Sequence, residues 1–166
     1  MVTDTQKFSW FQASNRVKKL LVLAAENYSN TSAADKYINQ ALSESKNQSE
    51  YLEILVSAYR YFYYKNNYSM ALQAANQLMD KIKEAEQLTD NWEQQKSILL
   101  NRQESANLRL YINAYAASGL ILAKLGELEQ AQTICTRIQE IDSHNEFTGA
   151  KILLGILTQP QDDDDE

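Results

Sequence analysis

The chain has 166 residues and carries 22 acidic against 16 basic side chains, for a net charge of −6 at pH 7. This acidity disfavours nucleic acids and anionic membranes as partners, and no apolar run is long enough to cross a membrane. With four glycines, one proline and one cysteine, the chain has few helix breakers and cannot form an internal disulfide. The composition predicts an all-α protein. Because a signal-peptide pattern is missing at the N-terminus, we expect it in the cytoplasm.

Apolar residues recur at helical spacing in segments that polar breaks separate. The predicted helices span about residues 3–27, 32–45, 50–65, 69–88, 92–125, 128–141 and 146–158. The long stretch 92–125 lacks proline, but its polar segment 101–107 leaves open whether it forms one helix, a bent helix or two. Pro160 ends the last helix, and residues 159–166 are predicted to form a disordered acidic tail.

The segment 116–141 is the most informative part of the sequence. It predicts two helices that fold back on each other across a tight turn at residues 125–127. The small residue Gly119 in the first helix is predicted to face the small residue Ala131 in the second. Such a pair of small residues lets two helix backbones approach closely.

The same arrangement recurs along the chain. Ala131 follows Gly126 at the offset at which Ala71 follows Asn66, and Ala34 marks a weaker first unit. These positions resemble the tetratricopeptide repeat, a helical hairpin of about 34 residues. The resemblance implies three antiparallel hairpins of about seven helices, stacked as a short right-handed solenoid over residues 1–158, with the last helix as a cap.

Members of this family bind other proteins along a concave groove, which the first helix of each hairpin lines. Carried over through the turn alignment, the groove residues are Arg16, Lys19, Leu23, Glu53, Val56, Arg60, Tyr63, Asn113, Ala116 and Leu120. Tyr64 joins them, because the aromatic run 61–64 must direct at least one ring outward. Asn113 stands where family members that grip a peptide carboxylate need a cation. An extended or helical peptide with apolar anchors is therefore the expected ligand.

The spacing of the second and third units is irregular. Ala71 and Ala131 are 60 residues apart, which exceeds the repeat length of about 34 by about 26. Divided between two helices, this excess predicts a hairpin arm, residues 79–105, that projects roughly 20 Å beyond the body of the solenoid. Its apolar residues either pack across the hairpin or meet a partner or a second copy of the chain; they include Trp92, Ile98, Leu99 and Leu100.

The sequence offers no pattern for catalysis, a cofactor or a metal. His144 is the single histidine and Cys135 lies on a predicted inner face, so neither belongs to a metal-ligand or triad pattern. We therefore expect a non-enzymatic protein–protein interaction module, of adaptor or chaperone type, with a protein or peptide partner. The alternatives are a structural protein that forms homo-oligomers, such as a homodimer, through the arm, and a bacterial secretion-type chaperone.

Overall fold

A computed structural model describes residues 14–159, and every regular element within them is an α-helix. The all-α prediction is therefore confirmed for this part of the chain. The described helices are α1 (Asn15–Glu26), α2 (Thr31–Ser45), α3 (Tyr51–Tyr64), α4 (Tyr68–Ala85), α5 (Trp92–Asn101), α6 (Ala106–Lys124), α7 (Leu128–Ile141) and α8 (Thr148–Thr158). The start predicted for the first helix and the predicted tail from residue 160 onward lie outside the described residues.

The chain divides into two compact units after Leu78, inside α4. The sequence predicted one domain over residues 1–158. The division is possible because α4 has 18 residues. At this length it extends about 27 Å, so its two ends belong to different sets of neighbours.

The first unit contains α1, α2, α3 and the first part of α4. Helix α1 packs against α2, and α2 packs against α3. The N-cap side chains of Ser14 and Asn30 accept hydrogen bonds from backbone amides, which fixes where α1 and α2 begin. Each helix buries one apolar stripe at helical spacing. The buried residues include Val17, Leu20 and Ala24 in α1, Ala34, Ile38 and Ala41 in α2, and Ile54, Leu55, Ala58 and Phe62 in α3.

The second unit contains the end of α4 and helices α5 to α8. Helix α7 packs against α5, α6 and α8, and α8 also contacts α6. The predicted helix 92–125 is split, because Arg102 ends α5 and the Ser105 hydroxyl accepts a hydrogen bond from the Leu108 amide at 3.3 Å. A serine side chain that hydrogen-bonds to a backbone amide in this way starts a new helix. This hydrogen bond competes with continuation of the preceding helix through the serine. Residues 14–159 thus form eight helices, where about seven were predicted for the chain.

Three helices end in the same left-handed turn. The φ angles are 61° at Asn66, 54° at Gln87 and 85° at Gly126. In each case the next amide reaches back to the carbonyl five residues earlier, which closes a Schellman motif. These hydrogen bonds join Asn67 to Phe62 at 2.8 Å, Leu88 to Lys83 at 2.9 Å and Glu127 to Leu122 at 2.9 Å. The turns at Asn66 and Gly126, which the sequence aligned, therefore share one backbone geometry.

The close approach of α6 and α7 differs in detail from the prediction. A Cβ atom placed on Gly119 would lie 3.1 Å from Ile134 Cγ2 and 3.4 Å from Cys135 Sγ. The nearest neighbours of Gly119 are thus about one turn beyond Ala131, the residue predicted to face it. Ala131 is nevertheless fully buried.

Candidate protein-binding surfaces

Three predicted groove residues of the first unit lie on α1. Arg16 and Lys19 are exposed, and Leu23 is half-buried. The Arg16 guanidinium donates a hydrogen bond from Nε to Glu44 Oε1 on α2 at 2.7 Å. This exposed ion pair neutralises part of the positive charge that the sequence assigned to the groove.

The aromatic run on α3 divides between the core and the surface. Tyr59 and Phe62 are buried, whereas Glu53 and Val56 are half-buried. Tyr61 lies toward α2, where its hydroxyl donates a hydrogen bond to Asp35 Oδ1 at 2.7 Å. Burial, together with this hydrogen bond to a carboxylate, raises the pKa of Tyr61. These contacts give Tyr59, Tyr61 and Phe62 a structural role.

The remaining tyrosines of the run form an exposed aromatic surface. Tyr64 is 72% exposed. The Tyr63 ring lies between Tyr64, at 5.8 Å, and Tyr68, at 5.6 Å, with both neighbours in edge-to-face geometry. The Tyr68 hydroxyl donates to the Asn66 side chain at 3.0 Å, which ties this ring to the left-handed turn. We call Tyr63, Tyr64 and Tyr68 the tyrosine surface; Arg60, exposed one helical turn before Tyr64, lies on the same helix.

A second aromatic contact fixes the loop after α1. The Lys65 ammonium lies 3.6 Å from the centre of the Tyr28 ring, and it also donates to the Tyr28 carbonyl. The Tyr28 and Tyr61 rings meet edge to face at 6.1 Å. This cluster is not evident from the sequence, because Tyr28 lies more than 30 residues before both Tyr61 and Lys65.

In the second unit the predicted groove residues separate. Asn113 is exposed, whereas Ala116 is buried. Leu120 is half-buried, and its Cδ1 atom would lie 3.6 Å from a Cβ atom on Gly149 of α8. Leu120 therefore lies against α8. That it lines a groove stays a prediction.

Four apolar residues of the predicted arm, for which packing or partner contact was left open, are buried or half-buried. Leu99 is 1% exposed, and Trp92, Ile98 and Leu100 are half-buried. Helix α5 packs against α7 rather than standing away from its unit. The residues between Ala71 and Ala131 thus include a packed helix, α5, and the structure does not support a projecting arm there.

Trp92 holds α5 on α7 through a cluster of polar and aromatic contacts. Its Nε1 donates to Glu140 Oε2 at 2.7 Å, and the Arg137 guanidinium lies 5.2 Å from its ring centre. Arg137 also donates to the Tyr115 hydroxyl at 3.0 Å. The hydrogen bond from Trp92, supported by Lys96 and Arg137, lowers the pKa of Glu140. These contacts hold the half-buried Trp92 ring against α6 and α7.

A small pocket of about 300 Å³ lies between α5, α6 and the loop that joins α7 to α8. Its apolar wall includes Leu99 and Ile112, and Asn113 and His144 contribute polar atoms. The Asp142 carboxylate shapes the loop, since it accepts hydrogen bonds from the amides of residues 146 and 147 at 2.8 and 2.9 Å. Asn113, a predicted groove residue, thus lines a recess of the second unit.

The described residues contain no group of three or more histidine, cysteine or acidic side chains arranged to hold a metal ion. Cys135 is fully buried, and burial raises the pKa of its thiol. A buried thiol of this kind is a poor nucleophile. None of the helices in the described part of the chain combines the length and the apolar character that crossing a membrane requires.

Comparison with known proteins gives one informative similarity. No protein-family model matches the chain, and no solved structure matches it. The chain is 29% identical over 140 residues to the "Uncharacterized 19.8 kDa protein in nifW 5'region" of Azotobacter chroococcum mcd 1. The alignment covers 82% of this chain and 75% of the relative, so the similarity extends over most of both proteins.

Proposed function

We propose that this chain is a non-enzymatic protein–protein interaction module that binds a segment of a partner protein at the tyrosine surface. The observation that carries the proposal is the 72% exposure of Tyr64 beside the Tyr63 ring, which meets Tyr64 and Tyr68 edge to face. Tyrosine is common at binding surfaces, because its ring buries a large area while its hydroxyl keeps a hydrogen bond. Three adjoining rings, at the end of α3 and the start of α4, therefore offer an anchor for a partner.

The proposed scaffold is a solenoid of tetratricopeptide type. Its support is the shared left-handed turn at Asn66 and Gly126, each followed at the same offset by a fully buried alanine, Ala71 or Ala131. Ala34, the corresponding residue of the first unit, is also fully buried. Repeats of this kind present extended surfaces to other proteins.

The partner segment that fits this surface carries apolar or aromatic anchors. The tyrosine surface itself has no acidic residue, and Arg60 is the exposed charge on the same helix. Because charged side chains contribute little at an exposed rim, we expect ring contacts to supply most of the affinity. The relative is named for a position 5′ of nifW. Proteins encoded beside the gene of this chain are therefore the first candidates for the partner.

The proposal is tested by cross-linking and affinity capture from the native lysate, followed by titration of the recombinant partner. Tyr64→Ala removes an exposed ring, so it should leave the fold intact and weaken binding by about tenfold or more. Leu128→Ala, which truncates an exposed apolar side chain of the second unit, serves as the matched control and should bind like the wild type. Equal affinity of wild type and Tyr64→Ala would exclude the tyrosine surface as the binding site.

A further inference from the structure

The pocket of the second unit has no part in the proposed protein-binding role. It has a volume of about 300 Å³ and lies between α5, α6 and the loop of residues 142–147. This volume is at the lower end of the range for small-molecule sites, about 300–1,000 Å³, so the pocket suits a compact ligand better than a peptide segment. We call it the loop pocket.

Three parts of the second unit build an apolar wall in the loop pocket. Leu99 on α5 is 1% exposed, whereas Ile112 on α6 and Phe147, just before α8, are half-buried. Part of the Ile112 and Phe147 side chains therefore remains in contact with water. A ligand with an apolar side chain would gain free energy by covering that area.

Two opposite charges line the loop pocket without pairing. Arg109 lies in the first turn of α6 and Glu146 in the loop before α8, and both are exposed. Among residues 14–159, neither the guanidinium nor the carboxylate forms a hydrogen bond or an ion pair. Both charges are therefore open to a ligand that carries complementary charges.

The third charged residue of the loop pocket fixes the shape of the loop. Asp142 accepts a hydrogen bond on Oδ1 from the amide of Glu146 at 2.8 Å and on Oδ2 from the amide of Phe147 at 2.9 Å. These bonds hold the backbone of the two residues that supply the free carboxylate and part of the apolar wall. A site that is ordered before binding loses less entropy when its ligand arrives.

The charges of the loop pocket decide which class of small molecule fits it. A ligand with only a negative charge would meet two carboxylates and one guanidinium, and a ligand with only a positive charge would meet Arg109. An uncharged apolar ligand would remove water from Arg109 and Glu146 without giving them a partner. A ligand with one charge of each sign and an apolar body leaves none of these groups unmatched.

We propose that the loop pocket binds a free α-amino acid with a large apolar or aromatic side chain. The ligand carboxylate pairs with Arg109 and the ligand ammonium pairs with Glu146. The ligand side chain rests on Ile112 and Phe147. This site lies in the second unit, whereas the tyrosine surface lies in the first, so it does not depend on the protein-binding role.

The test is isothermal titration calorimetry of the full chain with L-phenylalanine as the probe. A dissociation constant of about 1 mM or below is expected for a ligand of this size. Three analogues each lack one feature of the probe: hydrocinnamate lacks the ammonium, phenethylamine lacks the carboxylate, and glycine lacks the apolar side chain. Each analogue should bind about tenfold more weakly than L-phenylalanine, or not at all.

Two variants link each charge of the ligand to one residue of the pocket. Arg109→Gln should weaken L-phenylalanine about tenfold, yet should not weaken phenethylamine, which has no carboxylate to lose a partner. Glu146→Gln should weaken L-phenylalanine about tenfold, yet should not weaken hydrocinnamate, which has no ammonium. Lys124→Gln removes an exposed charge from the other end of α6 and should bind L-phenylalanine like the wild type. Circular dichroism verifies that the variants keep their helical content.

Three outcomes would overturn the proposal. The first is that the wild type binds neither L-phenylalanine nor L-leucine at about tenfold above the expected dissociation constant. The second is that hydrocinnamate binds as tightly as L-phenylalanine, which would indicate a simple anion site. The third is undiminished binding of L-phenylalanine by Arg109→Gln and Glu146→Gln, which would exclude the loop pocket. None of these results bears on the tyrosine surface, whose test uses a protein partner and Tyr64→Ala.

Discussion

The adjacent residues Leu99 and Leu100 offer the sharpest test of how α5 is placed. Leu99 is 1% exposed and shares a pocket wall with Ile112, whereas Leu100 is half-buried. Leu99→Ala removes three buried carbon atoms, which costs about 2.4 kcal/mol in transfer free energy. The cavity left behind raises the expected loss of unfolding free energy to about 3 kcal/mol. Leu100→Ala leaves a partly solvated site, and its expected cost is about 1 kcal/mol or less.

The measurement is urea unfolding of both variants in a Trp10→Phe background, followed by circular dichroism and by the fluorescence of Trp92, which is then the single tryptophan. The fluorescence reports directly on the second unit, since Trp92 holds α5 on α7. Because both substitutions change the same side chain at neighbouring positions of one helix, the difference in helix propensity cancels between them. If the two variants lost the same stability within about 0.5 kcal/mol, the packing of α5 described above would be refuted, and a projecting arm would regain support.

The remaining predictions concern close packing, acid stability and thiol reactivity. Gly119→Val should destabilise the chain by about 1–3 kcal/mol in urea, because Cβ contacts are already tight there. Gly155→Ala, with nothing within 4 Å, should stabilise it by about 0.5–1 kcal/mol. Glu86 and Glu140 have lowered pKa values, so the stability they contribute is present above the ordinary value of 4.5 and is lost as the pH falls below it. Acid titrations of Glu86→Gln and Glu140→Gln should show a smaller loss; a loss equal to wild type would contradict this. Cys135 should react slowly with a thiol reagent until urea unfolds the chain, and fast native reaction would contradict its burial.

Much of the fold was predictable, because it depends on local signals. Periodic apolar residues located most helices, and the left-handed turn at Gly126 follows from a residue that tolerates positive φ. Asn66 gave the same signal more weakly, since asparagine also adopts this conformation. Gln87, with a φ of 54°, gave no such signal. Its turn ends α4 three residues before the helix end that periodicity predicted.

The placement of the extra residues between Ala71 and Ala131 was not predictable for a related reason. Counting the residues between two positions of the sequence shows how many are inserted but not where they pack. The deciding contacts of α5 are nonlocal: Trp92 donates to Glu140, 48 residues away, and Lys96 lies 3.5 Å from the same carboxylate. The serine cap at Ser105, which makes α5 a separate helix, was present in the sequence but lay within a segment already read as polar.

The candidate surfaces were predictable to different degrees. An aromatic run longer than one helical turn must expose some of its rings, so helix geometry predicted an outward ring at Tyr63 or Tyr64 but did not decide between them; Tyr64 is the exposed one. The ring contact between Tyr63 and Tyr68 was not predictable, because Tyr68 belongs to the next helix. Leu120 was assigned to a groove by alignment, and in the structure it is half-buried against α8. Alignment transfers a position within a repeat but does not reveal which helix packs near that position.

The chemistry of the tyrosine surface allows its role to be tested without any structural information on a complex. At the tyrosine surface the contacts are aromatic, so salt should change affinity little. A natural partner whose affinity depends weakly on salt and is lost with Tyr64→Ala therefore uses this surface. A partner whose affinity falls steeply with salt and survives Tyr64→Ala binds elsewhere on the chain.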